Sequence, residues 1–394
     1  MPLRSLATFL FACLVGCPAL AADFSFIPLP AIDTDPNAGE TYGVLPVLLF
    51  RDGEDRVRTI VAPSLTYNDF RGATGTFRYY TYPTPAERFD FEASYSQTIE
   101  RRVNLHYRNL GLFADRFHAD VQLLWDKDAT VRFFGTGPDS VKQDETNMTI
   151  GVVGLYGTFG VNITPSARLS LGETIQRFDI SRGAVPGLPY TADVFPALPG
   201  VHGTTLHAQR ISLTYDDRDS FTTPTRGLST NLFAEASLEI LGSGTNYVKS
   251  GVEAVYLRPF WDAWMVLVVR GLLEALAGPS DTPFEVLPAL GGASTLRGFS
   301  EKRFYGFGRV LLNVETRVRL FTLRLFGTEA EFQAAPFVDV GKVFNTLEQS
   351  VGGSLEVTPG IAFRGLVRPS VVGHLELGVS REGPAIFVGL DYPF

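Results

Sequence analysis

The chain has 394 residues, and its 42 Asp and Glu outweigh 34 Lys and Arg, leaving a net charge of −8. An acidic balance with scattered basic residues argues against nucleic acid as a partner. Hydrophobic residues make up 45% of the chain, yet beyond residue 22 no apolar run approaches the roughly 18 residues of a membrane-spanning helix.

The chain opens with MPLR, an apolar run from Leu6 to Gly16, and then Cys17-Pro18-Ala19-Leu20-Ala21-Ala22. One early Arg, a short apolar stretch and an Ala-x-Ala ending predict a cleaved secretory signal over 1–22, cut after Ala21 or Ala22. Leu14-Val15-Gly16-Cys17 also fits a lipoprotein cleavage box, which would leave Cys17 as a lipidated first residue. Both cysteines, Cys13 and Cys17, lie in this segment, so the body of the protein carries no disulfide unless Cys17 is retained. Residues 23–39, with Ile27-Pro28-Leu29-Pro30, read as a short extended periplasmic arm.

From residue 40 onward the pattern is period-two alternation, the mark of strands with two unlike faces. In Phe89–Thr98 one face is Phe89, Phe91, Ala93, Tyr95 and Gln97, and the other is Asp90, Glu92, Ser94, Ser96 and Thr98. Asn231–Ile240 and Leu312–Leu320 repeat the pattern, with Asn313, Glu315, Arg317 and Arg319 opposing Leu312, Val314, Val318 and Leu320. Charges along one whole face of a long strand, with apolar residues opposite, are what lipid outside and water inside select.

The spacing predicts strands near 40–50, 55–69, 71–82, 86–108, 112–127, 145–159, 166–181, 204–218, 226–240, 246–260, 264–277, 307–323, 327–344, 354–367, 371–380 and 384–394. The segment 86–108 is long enough for two strands, breaking near Arg101-Arg102, and is taken as one. The fold class is therefore all-β: a transmembrane antiparallel β-barrel over 40–394, with about 16 strands. Starting from the periplasm, the long connections 128–144, 182–203, 278–306 and 345–353 follow odd-numbered strands and fall outside the cell. Short ones such as Phe70, Asn109–Gly111 and Asp262-Ala263 fall inside. Glu173 lands on the lipid side of this register and predicts a bulge or a register shift there.

The connection from Leu287 to Gly308 reads LPALGGASTLRGFSEKRFYGFG. A paired glycine (Gly291, Gly292), then Arg297-Gly298-Phe299, then Phe304, Tyr305 and Phe307 suit a loop folded back into the molecule, not one dangling in solvent. This stretch resembles the signature loop of the BamA/TamA-type outer-membrane barrels, the bacterial surface antigen or barrel-assembly and translocase superfamily. The resemblance implies an extracellular loop, here 278–306, whose tip enters the lumen. A buried arginine keeps its charge and needs anionic partners. By the resemblance, Arg297 pairs with Asp339 and Glu315 and Phe299 packs near Phe337. Arg297, Gly298, Phe299, Glu315, Phe337 and Asp339 then form a lumen latch.

Three further segments are similar to the same family. Asp219 with Pro224-Thr225-Arg226-Gly227 resembles its periplasmic turn. The final strand, with Gly389, Tyr392 and the terminal Phe394, resembles the signal read by the outer-membrane assembly machinery, although Phe387 stands where a polar residue is usual. Phe133-Phe134-Gly135-Thr136-Gly137-Pro138 matches the start of an extracellular loop. Asp216, Asp217 and Asp219 are conceivable calcium ligands, but Arg218 in their midst favours an ion-pair cluster, so no metal and no cofactor are expected.

The five histidines (His106, His118, His202, His207, His374) stand in no triad context and no Gly-x-Ser-x-Gly elbow is present, so the chain is not read as an enzyme. Superfamily translocases carry periplasmic POTRA domains, and the arm 23–39 is too short to hold one. The reading is thus a POTRA-less outer-membrane barrel, surrounded by lipid and lipopolysaccharide and inserted by the barrel-assembly machinery. Its expected work is aiding protein or lipid assembly or transport at its lateral seam, as a homodimer or with a periplasmic helper. The alternatives are a passive channel, or a surface antigen or receptor acting through loops such as 182–203.

Overall fold

A computed structural model describes residues 24–54, 56–325, 328–367 and 370–389. The expected signal segment with Cys13 and Cys17, and the terminal Tyr392 and Phe394, lie outside the described residues. The chain enters as a hairpin, β1 (Phe24–Asp35) on β2 (Gly39–Arg51), in unbroken register from Phe24↔Phe50 to Asp35↔Gly39. Next, β3 (Val57–Val61) and β4 (Ser64–Asn68) are halves of one span, since both pair with β2 and with β5 (Gly72–Thr84). Ala62-Pro63 interrupts them, because proline has no N–H to give the ladder.

The meander continues through β6 (Glu87–Ser96), β7 (Arg101–Gly111), β8 (Phe117–Phe133) and β9 (Thr146–Asn162). It runs on through β10 (Ala167–Arg182), β11 (Thr204–Asp216), β12 (Gly227–Ser237), β13 (Tyr247–Phe260) and β14 (Met265–Ala277). A long loop holding the two-residue strands β15 (Ala289–Leu290) and β16 (Phe304–Tyr305) follows. The chain then closes with β17 (Gly308–Leu325), β18 (Thr328–Phe344), β19 (Glu356–Val367), β20 (Ser370–Ser380) and β21 (Gly383–Gly389). Among the described residues the main sheet has 19 strands, antiparallel throughout, or 18 spans with β3 and β4 taken together.

The barrel class holds, with two more spans than the alternation predicted. Residues 23–39 are not an arm: the Pro-containing stretch 24–35 is β1, in which Pro28 and Pro30 sit opposite Pro46 and Val44. Segment 86–108 is two strands, turning at 97–100 as Arg101 Nη1 caps the carbonyls of Ser96 and Glu100, both at 2.7 Å. Splitting it reverses the direction of everything before it. The Phe70 turn therefore lies at the long-loop end, where Arg71 reaches Thr130, and not at the short-turn end.

Side chains sort as the alternation requires. Val121, Leu123 and Trp125 of β8 and Val153, Leu155 and Phe159 of β9 face outward, while Asp90, Ser96, Asn313, Glu315 and Arg317 are buried inside. No bulge occurs at Glu173: β10 stays in register with β9 and β11 through it. The carboxylate is tolerated on the outer wall because His207 Nε2 stands 2.5 Å from it and Gln209 donates to it at 3.1 Å. The ladder shifts elsewhere, among other places between Arg319 and Phe321.

One junction differs from the rest. Strands β1 and β21 run beside each other, within 8 Å from Cα to Cα, but no ladder joins them among the described residues. Inside the barrel, beside this junction, apolar side chains of the first two strands cluster with those of β18 and β19. Ile27 of β1 and Leu45, Val47 and Leu49 of β2 bury themselves against Ala330 of β18 and Val367 of β19. The first strand is thus β1 and not the segment Tyr42–Leu48, which belongs to β2.

Candidate functional site

The loop between β14 and β17 folds inward as a hairpin, with Ala289 opposite Tyr305 and Leu290 opposite Phe304. Its turn depends on the glycine pair. Gly291 and Gly292 hold φ of 119° and 96°, a region that side-chain-bearing residues rarely adopt. A Cβ on Gly291 would sit 2.3 Å from the Ser300 carbonyl. Thr295 Oγ1 accepts from Gly291 N–H at 2.8 Å and fixes the turn.

That geometry delivers Arg297 to the wall with no exposed surface. Its Nε and Nη2 fork onto the two oxygens of Asp339 at 2.9 and 2.8 Å, and its backbone N–H reaches Asp339 at 3.1 Å. Nη1 donates to Glu315 at 2.7 Å and to Glu376 at 3.4 Å. The guanidinium carbon lies 3.5 Å from the centre of the Phe337 ring. Burial opposes the Arg297 charge, but the hydrogen bonds and field of Asp339, then of Glu315 and Glu376, more than offset it and raise its pKa above the usual arginine range.

Two wall arginines complete the cluster. Arg364 of β19 donates to Glu315 at 2.6 and 2.9 Å and to Glu376 of β20 at 2.8 Å, while Arg317 Nε reaches Glu315 at 2.8 Å. Three cations face three carboxylates, all at most 2% exposed. In a balanced cluster of this kind, removing any one member would leave an uncompensated buried charge.

Phe299 does not pack on Phe337. It stacks edge-on to Phe304 at 5.0 Å, among Leu290, Leu296 and Leu311, because Phe337 is already covered by the guanidinium. Gly298 and Gly378 permit the close approach: a Cβ on Gly378 would lie 2.0 Å from the Arg297 carbonyl, and one on Gly298 2.7 Å from Thr358.

A second buried arginine anchors the returning limb of the loop. Arg303, fully buried, donates from Nε to Glu382 at 3.0 and 3.1 Å and from Nη1 and Nη2 to Ser140 Oγ and carbonyl at 2.9 and 3.0 Å. Its guanidinium lies between the rings of Phe134 and Phe304, and Gly137 N–H donates to the Tyr305 carbonyl at 2.7 Å. The Phe-Phe-Gly-Thr-Gly-Pro segment is therefore a receptor for the loop. Through Glu382, in the β20–β21 turn, the loop also grips the hairpin that borders the seam.

Other expected positions stand as follows. Asp219 accepts from the Thr225 N–H and hydroxyl at 2.8 and 2.5 Å and from Arg226 N–H at 3.2 Å. Burial opposes the Asp219 charge, but these bonds hold its pKa below the ordinary aspartate value. Gly227, with φ of 113°, follows Pro224 and Thr225 and closes this turn, while Asp216 and Asp217 are taken by Arg218 and by Tyr215 and Leu228 N–H. Gly389 is the last residue of β21, opposite His374.

Among the histidine contacts that the sequence did not show, His118 bridges Ser170 Oγ at 2.8 Å and Asn162 at 2.9 Å. With His118 and Ser170 only 4% and 7% exposed, it braces β8 to β10. Nothing in the sequence pairs Arg303 with Glu382 or Arg364 with Glu315 and Glu376. All that was legible there is that Arg364 and Glu376 fall in predicted strands.

Glu285, in the 3₁₀ turn Phe284–Val286, carries a further consequence of the loop's burial. No other residue donates a hydrogen bond to its carboxylate oxygens, and burial raises its pKa to about 8 from 4.5, with Lys302 opposing only weakly. The folded loop holds this proton after the undocked loop has lost it. Docking is therefore firmest below about pH 4.5, weakens by about 1.4 kcal/mol per unit as pH rises toward 8, and is flat above that. Hydrogen exchange of residues 284–305 at pH 5, 7 and 9 is expected to speed up with pH beyond the intrinsic rate. Glu285→Gln is expected to abolish that excess; an identical excess in the variant would refute the assignment.

Residues 85–363 match the Omp85 superfamily domain. The chain belongs to the Omp85 superfamily. Among solved structures it is similar to BamA from Haemophilus ducreyi lacking POTRA domains 1-3, at 14% identity and a TM-score of 0.58, covering 99% of this chain and 79% of that one. It is also similar to CdiB from Escherichia coli, at 12% identity and a TM-score of 0.52, covering 95% of this chain and 62% of that one. At such identities the likeness is one of fold. No curated protein sequence matches the chain significantly. This Omp85 chain is an outer-membrane β-barrel.

Proposed function

We propose that this Omp85 barrel acts at its seam, opening sideways between β1 and β21 to help place proteins or lipids in the outer membrane. One observation carries the reading: among the described residues every neighbouring pair of spans is laddered except β1 and β21. A junction without an interstrand ladder can part without breaking backbone hydrogen bonds, whereas every laddered pair would have to give them up in lipid. The grip of Arg303 on Glu382 then ties seam position to loop docking. Export through a cleaved signal, insertion by the assembly machinery through the last strand, and a homodimeric or helper partner belong to the same proposal.

A receptor acting through exposed loop aromatics is less well supported. Tyr190 and Phe195 of the loop 183–203 pack onto Phe133, Phe284 and Tyr305 above the plug, which leaves them little surface for a ligand.

The test is in-cell photocrosslinking with probes at Ile32 and Ile386, outward-facing residues of the two seam strands at 53% and 42% exposure. The proposal expects adducts to other outer-membrane proteins, to a periplasmic helper or to lipid at these sites, and far fewer at Leu171 on the far wall. Equal yields at all three positions, or none at the seam, would sink it.

A further inference from the structure

Behind the seam the lumen holds a cavity of about 660 Å³ whose two sides differ in chemistry. Leu29 and Ala31 of β1, Leu45 of β2 and Val388 of β21 form an apolar lining on the seam side. Arg78, Glu92, Arg102 and Asp126, on the consecutive strands β5 to β8, form a charged lining opposite. These charges are loosely matched. Arg78 and Arg102 Nε stand 3.9 and 3.8 Å from Glu92, beyond hydrogen-bond range. Asp126, the cross-strand partner of Arg102, makes no hydrogen bond or ion pair among the described residues. The nearby Arg71 and Glu100, by contrast, are closed on each other at 2.6 Å.

We propose that this cavity binds the headgroup of a zwitterionic phospholipid of the phosphoethanolamine type. The phosphate sits between the Arg78 and Arg102 guanidiniums, whose planar forks suit its oxygens. The ammonium sits at Asp126, one cross-strand step of about 5 Å away, which matches the two-carbon spacing of ethanolamine phosphate. The acyl chains leave past Leu29, Ala31 and Val388 toward the bilayer. A purely anionic lipid fits poorly, since Glu92 and Asp126 would face it with no cation of its own to answer them. The inference rests on the seam reading only for how the lipid arrives.

The experiment is equilibrium binding to the full chain in dodecylmaltoside, using phosphatidylethanolamine and phosphatidylglycerol with the same fluorescently labelled acyl chain. Wild type is expected to prefer the ethanolamine lipid by about tenfold or more, with soluble glycerophosphoethanolamine competing and inorganic phosphate not. Asp126→Asn is expected to cut ethanolamine-lipid binding about tenfold and to raise glycerol-lipid binding. Arg78→Gln with Arg102→Gln should weaken both. Equal affinity for the two lipids, an unchanged preference in Asp126→Asn, or competition by inorganic phosphate as strong as by the headgroup would each overturn the proposal. Pro30→Cys with Val388→Cys, joined by a bifunctional thiol reagent, separates the two readings. Entry by the seam predicts that the locked barrel loses intact lipid but keeps the soluble headgroup. Undiminished uptake of intact lipid would remove the seam and leave the headgroup site standing.

Discussion

Arg297→Ala is expected to lower the barrel's heat resistance and its assembled yield, at a cost of about 3–5 kcal/mol for breaking a buried charge cluster. The loss arises from what remains: Glu315, Asp339 and Glu376, none with any exposed surface, would face only Arg317 and Arg364. Asp339 suffers most, because three of its hydrogen bonds come from Arg297 alone. Arg297→Lys restores the charge but not the fork onto Asp339, so it should recover part of the loss. Heat-modifiable electrophoretic mobility reads the result directly. A variant that keeps both mobility and yield would show that the cluster does not hold the loop.

Gly378→Ala should displace the loop tip without altering a single charge. The added Cβ would stand 2.0 Å from the Arg297 carbonyl oxygen and 2.8 Å from the Gly298 nitrogen. Both are backbone atoms fixed by the latch, so no side chain can swing away, and overpacking of this kind costs about 1–3 kcal/mol. Hydrogen exchange over 291–299 should rise, and the plugged lumen should leak, seen as sensitivity to bulky antibiotics. Gly373→Ala on the same strand is the control, since a Cβ there meets nothing within 4 Å. Equal behaviour of the two variants would mean that the tip is not wedged against β20.

The two predictions draw on different layers of information. Arg297, Glu315 and Asp339 were legible because the loop composition and the strand alternation both pointed into the lumen. Gly378 was not, because nothing local to a strand glycine reveals which backbone will press on it. Arg303 shows the same limit: its partners Glu382 and Ser140 lie far away in sequence, and only the curled sheet brings three loops to one end. The miscounted spans share one cause. A proline-containing strand and a four-residue turn both blur the alternation, and backbone pairing that the side-chain pattern does not record settles each.

By itself, the sequence determined the class of fold, because lipid outside and water inside demand two unlike faces on every strand. It also determined which loop turns inward, because glycines and an arginine among aromatics are unsuited to solvent. The tertiary structure alone decided the strand count, the orientation of the first third of the chain, which strand comes first and the partners that neutralise each buried charge. Those depend on contacts between residues distant in the chain, and a periodic pattern fixes which face a side chain takes without fixing what stands across from it.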